Sequence, residues 1–301
     1  WAGMGKDLYD GDPLFRQTVD RCCGVVDPFI RDSLASVMFD EGRAEELADT
    51  RLAQPALFVL GYALAERLAA WGVEAGAAIG HSLGEWIAAC RAGVFALDDA
   101  LRLVVARGRI MASVPADGAM AAVFGGPQAL SALPVDVREA VDAAAFNAPD
   151  ECVISGPEAA VAAACEALDK LGVGTQRLRT SHGFHSRLME PALDAFAAEL
   201  AGVSLSAPSG TLVSNLTGAI DAPFNTADYW VRHIREPVRF ADGMAALAAA
   251  GASVLIEIGA SPALSGCASR CPGFAGGPPV IVPTLRRNQP ARRTLGALLA
   301  Q

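Results

Sequence analysis

Gly80-His81-Ser82-Leu83-Gly84 lies between a short apolar run, residues 75–79, and a helical pattern that begins at Glu85. A serine flanked in this way fits a sharp strand-to-helix turn that exposes its hydroxyl, a nucleophile elbow. Glycines at both outer positions are expected to let the backbone turn and to let strand and helix approach closely. The amide after the serine, at Leu83, then points toward the oxyanion formed when the hydroxyl attacks an acyl carbon. The feature restricts the fold to strands feeding helices, and it directs the chemistry toward acyl transfer through an acyl-serine.

The surrounding pattern agrees. Leu57, Leu60, Leu64, Leu68 and Trp71 recur at three- and four-residue steps, which predicts a helix over 54–71 ended by Gly72. Helices over 82–91, stopped by Gly93, and from Asp98 to about 111 follow the elbow, and such alternation implies a parallel sheet covered by helices. The chain then changes character: strands at 118–124, 143–146, 152–155 and 175–179, with helices at 127–133 and 157–171, give the order β-α-β-β-α-β. A helix over 186–200, a strand around Leu212 and Val213, a helix over 240–250 and an apolar strand over 254–258 complete the pattern. The expected class is α/β, with a large α/β-hydrolase-like domain built on a parallel sheet from 1–115 and 182–301. A small inserted ferredoxin-like domain, 116–181, interrupts it.

At 301 residues and 52% hydrophobic composition, the chain can bury a large core. No apolar stretch approaches the roughly 20 residues needed to span a bilayer, and the start lacks a secretion-signal layout, so the expectation is a cytoplasmic protein without a membrane partner. A net charge of -9 argues against nucleic acid. The seven cysteines lack a Cys-x2-Cys pair, which predicts reduced, mostly buried thiols and no metal. The chain opens at Trp1 and its first residues read as the inside of a loop, as in a piece of something longer.

An elbow serine needs a base, and only His81, His182, His185 and His233 are available. His81 adjoins Ser82, where neighbouring side chains point apart, so a packing role is the bland reading. His182 and His185 fall where the chain re-enters the large domain and can border the cleft between domains. No histidine follows His233, which departs from the Ser, acid, late-His order of α/β-hydrolases.

Several strings together are recognisable: Gly80 to Glu85, Ser181-His182-Gly183-Phe184-His185-Ser186, Arg107-Gly108-Arg109, Asn147-Ala148-Pro149 with Val153-Ile154-Ser155-Gly156, and Pro237-Val238-Arg239-Phe240. Over nearly its whole length the chain resembles the acyltransferase domains of type I polyketide synthases and the stand-alone malonyl-CoA:acyl carrier protein transacylases. The resemblance implies Ser82 as nucleophile, His185 as general base held by a backbone carbonyl, Leu83 N–H as oxyanion donor and Arg107 as the clamp for a substrate carboxylate. It assigns His81, His182, Gly183, Phe184 and Asn147 to the substrate pocket. The carbonyl is sought in the loop 233–237.

By the same resemblance the substrate is malonyl-CoA, and no cofactor is bound. The acceptor is the phosphopantetheine thiol of an acyl carrier protein, and the neighbours are other domains of a parent synthase. Leu83 and Phe184 favour malonyl over methylmalonyl, because a bulky ring against the α-carbon crowds a branch. Gly183 departs from the usual alanine and is expected to leave room for a less common extender. The family's Gly-Gln-Gly-Ser-Gln string, which supplies a second oxyanion donor, would fall before Trp1. Arg177 and Arg179 form one candidate contact for an acidic carrier. The alternatives are transfer of another dicarboxylic acyl group, a serine thioesterase, and a non-catalytic docking module.

Overall fold

The computed structural model describes residues 1–180, 182–275 and 277–299. Its strands are β1 Ala77–Ile79, β2 Gly118–Phe124, β3 Asp142–Ala148, β4 Glu151–Pro157, β5 Gly174–Arg177, β6 Thr211–Val213, β7 Val254–Glu257 and β8 Val280–Pro283. β1 pairs with β6 in parallel, Ala78 opposite Leu212, and β7 pairs with β8 in parallel, Leu255 opposite Ile281. Among the described residues these form two separate two-stranded sheets, where the strand-helix pattern had predicted one.

The remaining four strands make an antiparallel sheet in the order β3-β4-β2-β5, which is the ferredoxin-like order. Helix Glu158–Lys170 lies on one face and buries Val161, Ala164 and Leu168. The other face meets the large unit. Val238 forms an isolated bridge with Ala145, its N–H donating to Ala144 O at 2.9 Å and its carbonyl accepting from Phe146 N at 2.8 Å.

The large unit is built around helices. Pro13–Ile30 starts at Asp12, whose carboxylate accepts from Phe15 N at 3.0 Å, with Pro13 at the first helical position; it buries Phe15, Val19, Cys22, Cys23 and Val26 along one stripe. Helix Thr50–Ala70 is capped by Asp49 and is buried well beyond the predicted stripe, at Ala56, Phe58, Val59 and Ala63 as well as Leu60, Leu64 and Leu68. Leu57, placed on the core face from its spacing, is instead 39% exposed. The burial reaches around the helix because it packs against Pro13–Ile30, Leu83–Arg91 and Leu97–Ser113 and also touches the short helices Leu34–Phe39 and Ala44–Leu47.

Two further segments differ from expectation. The helix predicted over 186–200 is a 3-10 turn, Arg187–Ala192, followed by an α-helix, Leu193–Leu200; Pro191 lacks the N–H that a continuous α-helix needs. The helix predicted over 127–133 is present as Gly126–Ser131, and a second short helix that was not predicted, Val135–Glu139, follows it with Pro134 at its N-cap position. No helix among the described residues is long and apolar enough to cross a membrane.

The helix after the elbow, Leu83–Arg91, is anchored by Trp86, which is fully buried. Its ring meets Trp230 at 4.4 Å, Phe95 at 5.0 Å and Phe196 at 5.8 Å between centroids. Trp86→Ala is expected to cost about 3–5 kcal/mol through the cavity it leaves, read as a lower denaturation midpoint in urea.

Candidate active site

Gly80 ends β1 so tightly against the next helix that a Cβ there would lie 2.0 Å from Glu85 N and 2.2 Å from Gly84 C. Glycine is therefore required at this position. Gly84 is different: a Cβ there meets nothing within 4 Å, so close packing does not explain the second glycine. Between them Ser82 adopts φ 49°, ψ -115°, a conformation that L-residues avoid and that turns the side chain outward from the chain path.

The amides of this turn are almost all occupied. Ser82 N–H donates to Asn215 Oδ1 at 2.7 Å, Gly84 N–H to His81 O at 3.0 Å and Glu85 N–H to Ser82 O at 3.0 Å. Leu83 N–H, first in the helix, has no intrahelical acceptor by geometry and is the amide left to face an oxyanion.

His185 reaches the serine from another loop, with Nε2 2.8 Å from Ser82 Oγ. The loop is folded back on itself by Ser186, whose hydroxyl donates to Gly183 O at 2.6 Å and accepts from Leu188 N at 3.2 Å; His185 itself sits at φ 55°. Its Nδ1 lies 2.8 Å from Glu236 O, at the end of helix Ala227–Arg235 and inside the loop 233–237. A carbonyl only accepts, so Nδ1 carries the proton and Nε2 presents its lone pair to the serine hydroxyl. Burial, with His233 and Arg107 nearby, holds the His185 imidazole well below its ordinary range, which keeps it unprotonated at neutral pH.

Arg107 comes from helix Leu97–Ser113 and is 2% exposed. One guanidinium nitrogen donates to Gln54 Oε1 at 2.6 Å and another to Ser82 Oγ at 3.2 Å, while its Nε is buried with no hydrogen-bond partner. No carboxylate among the described residues pairs with it. Desolvation lowers its pKa to about 10, which still leaves a cation at neutral pH.

The other predicted pocket residues divide. His81 Nε2 lies 2.9 Å from Asn147 Oδ1, and Asn147 Nδ2 donates to Glu151 Oε1 at 3.2 Å, so these side chains join the elbow to the small sheet. His182 is buried and stacked on Phe184, 5.8 Å between centroids, and both line a cavity of about 440 Å³ with Asp49, Arg51 and Arg179. Gly183 does not open onto free space: a methyl there would meet Leu188 Cδ1 at 2.9 Å and Ser155 Oγ at 3.1 Å. The extra room expected from the missing methyl is absent, because that side of the residue faces the packed 186–188 turn. Ser181, first in its string, lies outside the described residues. Of the basic pair, Arg177 is ion-paired with Glu158.

Gln54 and Asn215 were not singled out from the sequence, and Glu85, though it closes the Gly80 to Glu85 string, was given no role there. Glu85 is fully buried beneath the elbow, accepting from Tyr229 OH and from Asn215 N at 3.0 Å, with His233 Nε2 at 3.1 Å. The one sequence signal was a carboxylate on the helix face that also carries Trp86, Ala89 and Cys90. His233, the fourth candidate base, is committed to this buried cluster.

Over residues 1–301 the sequence matches the acyl transferase domain family. The chain belongs to that family. This acyltransferase domain is 40% identical over 306 residues to mycoketide-CoA synthase of Mycobacterium tuberculosis, an alignment covering 100% of the chain and 7% of that relative. The chain thus spans a small part of the curated relatives it matches. The acyltransferase domain from the second module of the salinomycin polyketide synthase superposes with a TM-score of 0.93 at 40% identity, covering 100% of this chain and 70% of that one. The acyl transferase domain of SpnD, solved in complex with 2-(pent-4-yn-1-yl)malonyl, gives a TM-score of 0.89 at 37% identity, covering 98% and 71%. The fold is accordingly the α/β-hydrolase-like unit with a ferredoxin-like companion.

Burial raises the Glu85 carboxyl from its ordinary value to about 8, the hydrogen bonds from Tyr229 OH and Asn215 N–H only partly opposing it. Native Glu85 then holds a proton that the unfolded chain has released, so its contribution to stability is full at acid pH and falls as pH rises toward 8. Between pH 6.5 and 8 the wild type should lose up to about 1.4 kcal/mol per pH unit from this group, and Glu85→Gln should flatten that part of the curve. Thermal melts of both proteins across this window check it.

Proposed function

We propose that this acyltransferase domain carries a malonyl group from malonyl-CoA, through an ester on Ser82, to the phosphopantetheine thiol of an acyl carrier protein. The observation that carries the reading is Arg107, a buried cation without a carboxylate partner among the described residues, 3.2 Å from the serine hydroxyl. A guanidinium in that position suits a free carboxylate on the acyl group, whose binding supplies the missing counter-charge in a water-poor site. The malonyl derivative held by the SpnD domain is of the same dicarboxylic class.

In the first half-reaction His185 Nε2 takes the hydroxyl proton as Ser82 Oγ bonds to the thioester carbon. The oxyanion rests against Leu83 N–H. When the carbon–sulfur bond breaks, the coenzyme A thiolate receives the proton from His185. The second half runs the same steps in reverse: His185 deprotonates the carrier thiol, sulfur attacks the ester, and Ser82 recovers its proton. The Glu236 carbonyl orients the imidazole but neutralises no charge, and a reactive thioester makes modest demands on the base. Phe184 crowds an α-branch, which favours malonyl over methylmalonyl. The small unit, taken as 116–181, and the large unit, 1–115 and 182–301, shield the ester between them.

Intact-mass measurement after brief incubation with malonyl-CoA should show a malonyl adduct that disappears in Ser82→Ala, with little adduct from acetyl-CoA. Arg107→Ala should lose most malonyl adduct and narrow the preference over acetyl. Equal adducts from acetyl-CoA and malonyl-CoA in the wild type would overturn the carboxylate reading, and free malonate without transfer to a carrier would indicate a hydrolase.

The depressed His185 pKa also sets a pH dependence. The base stays unprotonated as pH falls through the ordinary histidine range near 6.5. Ser82 acylation followed by rapid quench should therefore hold steady from pH 8 through that range and decline only below it. Arg107→Ala, by removing a nearby positive charge, should move the decline to higher pH.

A further inference from the structure

Asn215 follows β6, which pairs with the strand leading into the elbow, and is 1% exposed. Its main chain is pinned on both sides: N–H donates to Glu85 Oε2 at 3.0 Å, and its carbonyl accepts from Arg239 N at 2.8 Å. The preceding Ser214 is held as well, its hydroxyl 2.7 Å from Tyr229 OH. With the backbone fixed, the side-chain amide reaches across the elbow. Oδ1 accepts from Ser82 N–H at 2.7 Å, and Nδ2 donates to Gly80 O at 2.9 Å.

We infer that Asn215 is a positioning residue for the acyl-serine chemistry, its carboxamide spanning the elbow from Gly80 to Ser82 and holding the nucleophile in its strained conformation. The inference rests on the reading of Ser82 as nucleophile and adds a role that the motif strings do not contain. The reasoning is geometric. Ser82 at φ 49° would relax toward an ordinary conformation if nothing fixed the peptide on its N-terminal side, and the hydroxyl would leave the lone pair of His185. The carboxamide is matched to the task, because one end must accept from an N–H and the other must donate to a carbonyl. It also occupies Ser82 N–H, so that the amide still free in the turn is the one at Leu83.

The test uses two reagents so that it does not depend on the malonyl reading. A fluorophosphonate labels any activated serine, and malonyl-CoA reports the proposed donor; both are followed by intact mass. Asn215→Ala, if folded by circular dichroism and thermal melt, should be labelled roughly 10- to 100-fold more slowly than wild type with both reagents. The concentration of malonyl-CoA giving half-maximal rate should change little, because Asn215 is not placed against substrate.

Asn215→Asp supplies a second, independent readout. A protonated carboxyl can accept at one oxygen and donate from the other, as the carboxamide does, whereas a carboxylate only accepts. Labelling of this variant relative to wild type should rise on the order of tenfold as pH falls from 8.5 to 6.5, since burial beside Glu85 raises the new carboxyl's pKa. Dividing by wild type at each pH removes the pH response that Glu85, His233, Tyr229, His185 and Arg107 give the native protein.

A folded Asn215→Ala labelled at the wild-type rate overturns the inference. If that variant does not fold, the aspartate variant decides: a rising ratio supports it and a flat one overturns it. A wild type that reacts with fluorophosphonate but not malonyl-CoA removes the proposed donor and leaves Asn215 in its role. A wild type inert to both removes both.

Discussion

The approach of β1 to the following helix at Gly80 sets the terms for the rest of the site. With room for no side chain at the strand end, the helix begins within two residues, and Ser82 is forced into a backbone conformation that costs on the order of 1–3 kcal/mol. Such strain persists only where the surroundings hold it. Here they include Trp86, locked among Phe95, Phe196 and Trp230, and the buried Glu85, which fastens the same helix to Asn215, Tyr229 and His233. The hydrophobic anchor and the polar one lie on consecutive residues, so the helix is fixed in rotation as well as in position.

Electrostatically, the centre is poor in negative charge. Arg107 is buried among neutral partners, His185 is kept neutral by burial and then by His233 and Arg107, and the Glu85 carboxyl holds its proton to an unusually high pH. A site of this kind favours an arriving anion and an unprotonated imidazole at once. The cation that would suit the proposed acyl carboxylate therefore also helps to keep His185 neutral.

Much of this was legible in the sequence, and the parts that were not share a cause. The elbow announces itself because strand, glycine, serine and helix are contiguous. Arg107 could be picked out only through the Arg107-Gly108-Arg109 string and the resemblance it helps to carry. The β-α-β-β-α-β order followed from alternating patterns and turn residues. Gln54 carries no charge and no periodic mark, so its hydrogen bond to Arg107 was invisible. Asn215 becomes meaningful only once β6 is known to pair with β1, a fact of topology. The acceptor for His185 is the backbone of Glu236, and a carbonyl belongs to every residue alike. Gly183 shows the opposite failure: a missing methyl was read as space in the pocket, whereas the methyl position is already filled by the packing of Leu188 and Ser155.

The four residues from Glu236 to Arg239 have a mechanical meaning. Glu236 O orients His185, Val238 is laced into β3 of the small sheet on both sides, and Arg239 N–H grips the carbonyl of Asn215. A single stretch of chain therefore touches His185, the backbone of Asn215 and β3, the edge strand of the other unit. Any displacement of β3 against the large unit therefore acts on a segment that also fixes the His185 ring and the Asn215 backbone, so the seating of the small sheet and the alignment of serine with histidine share one support.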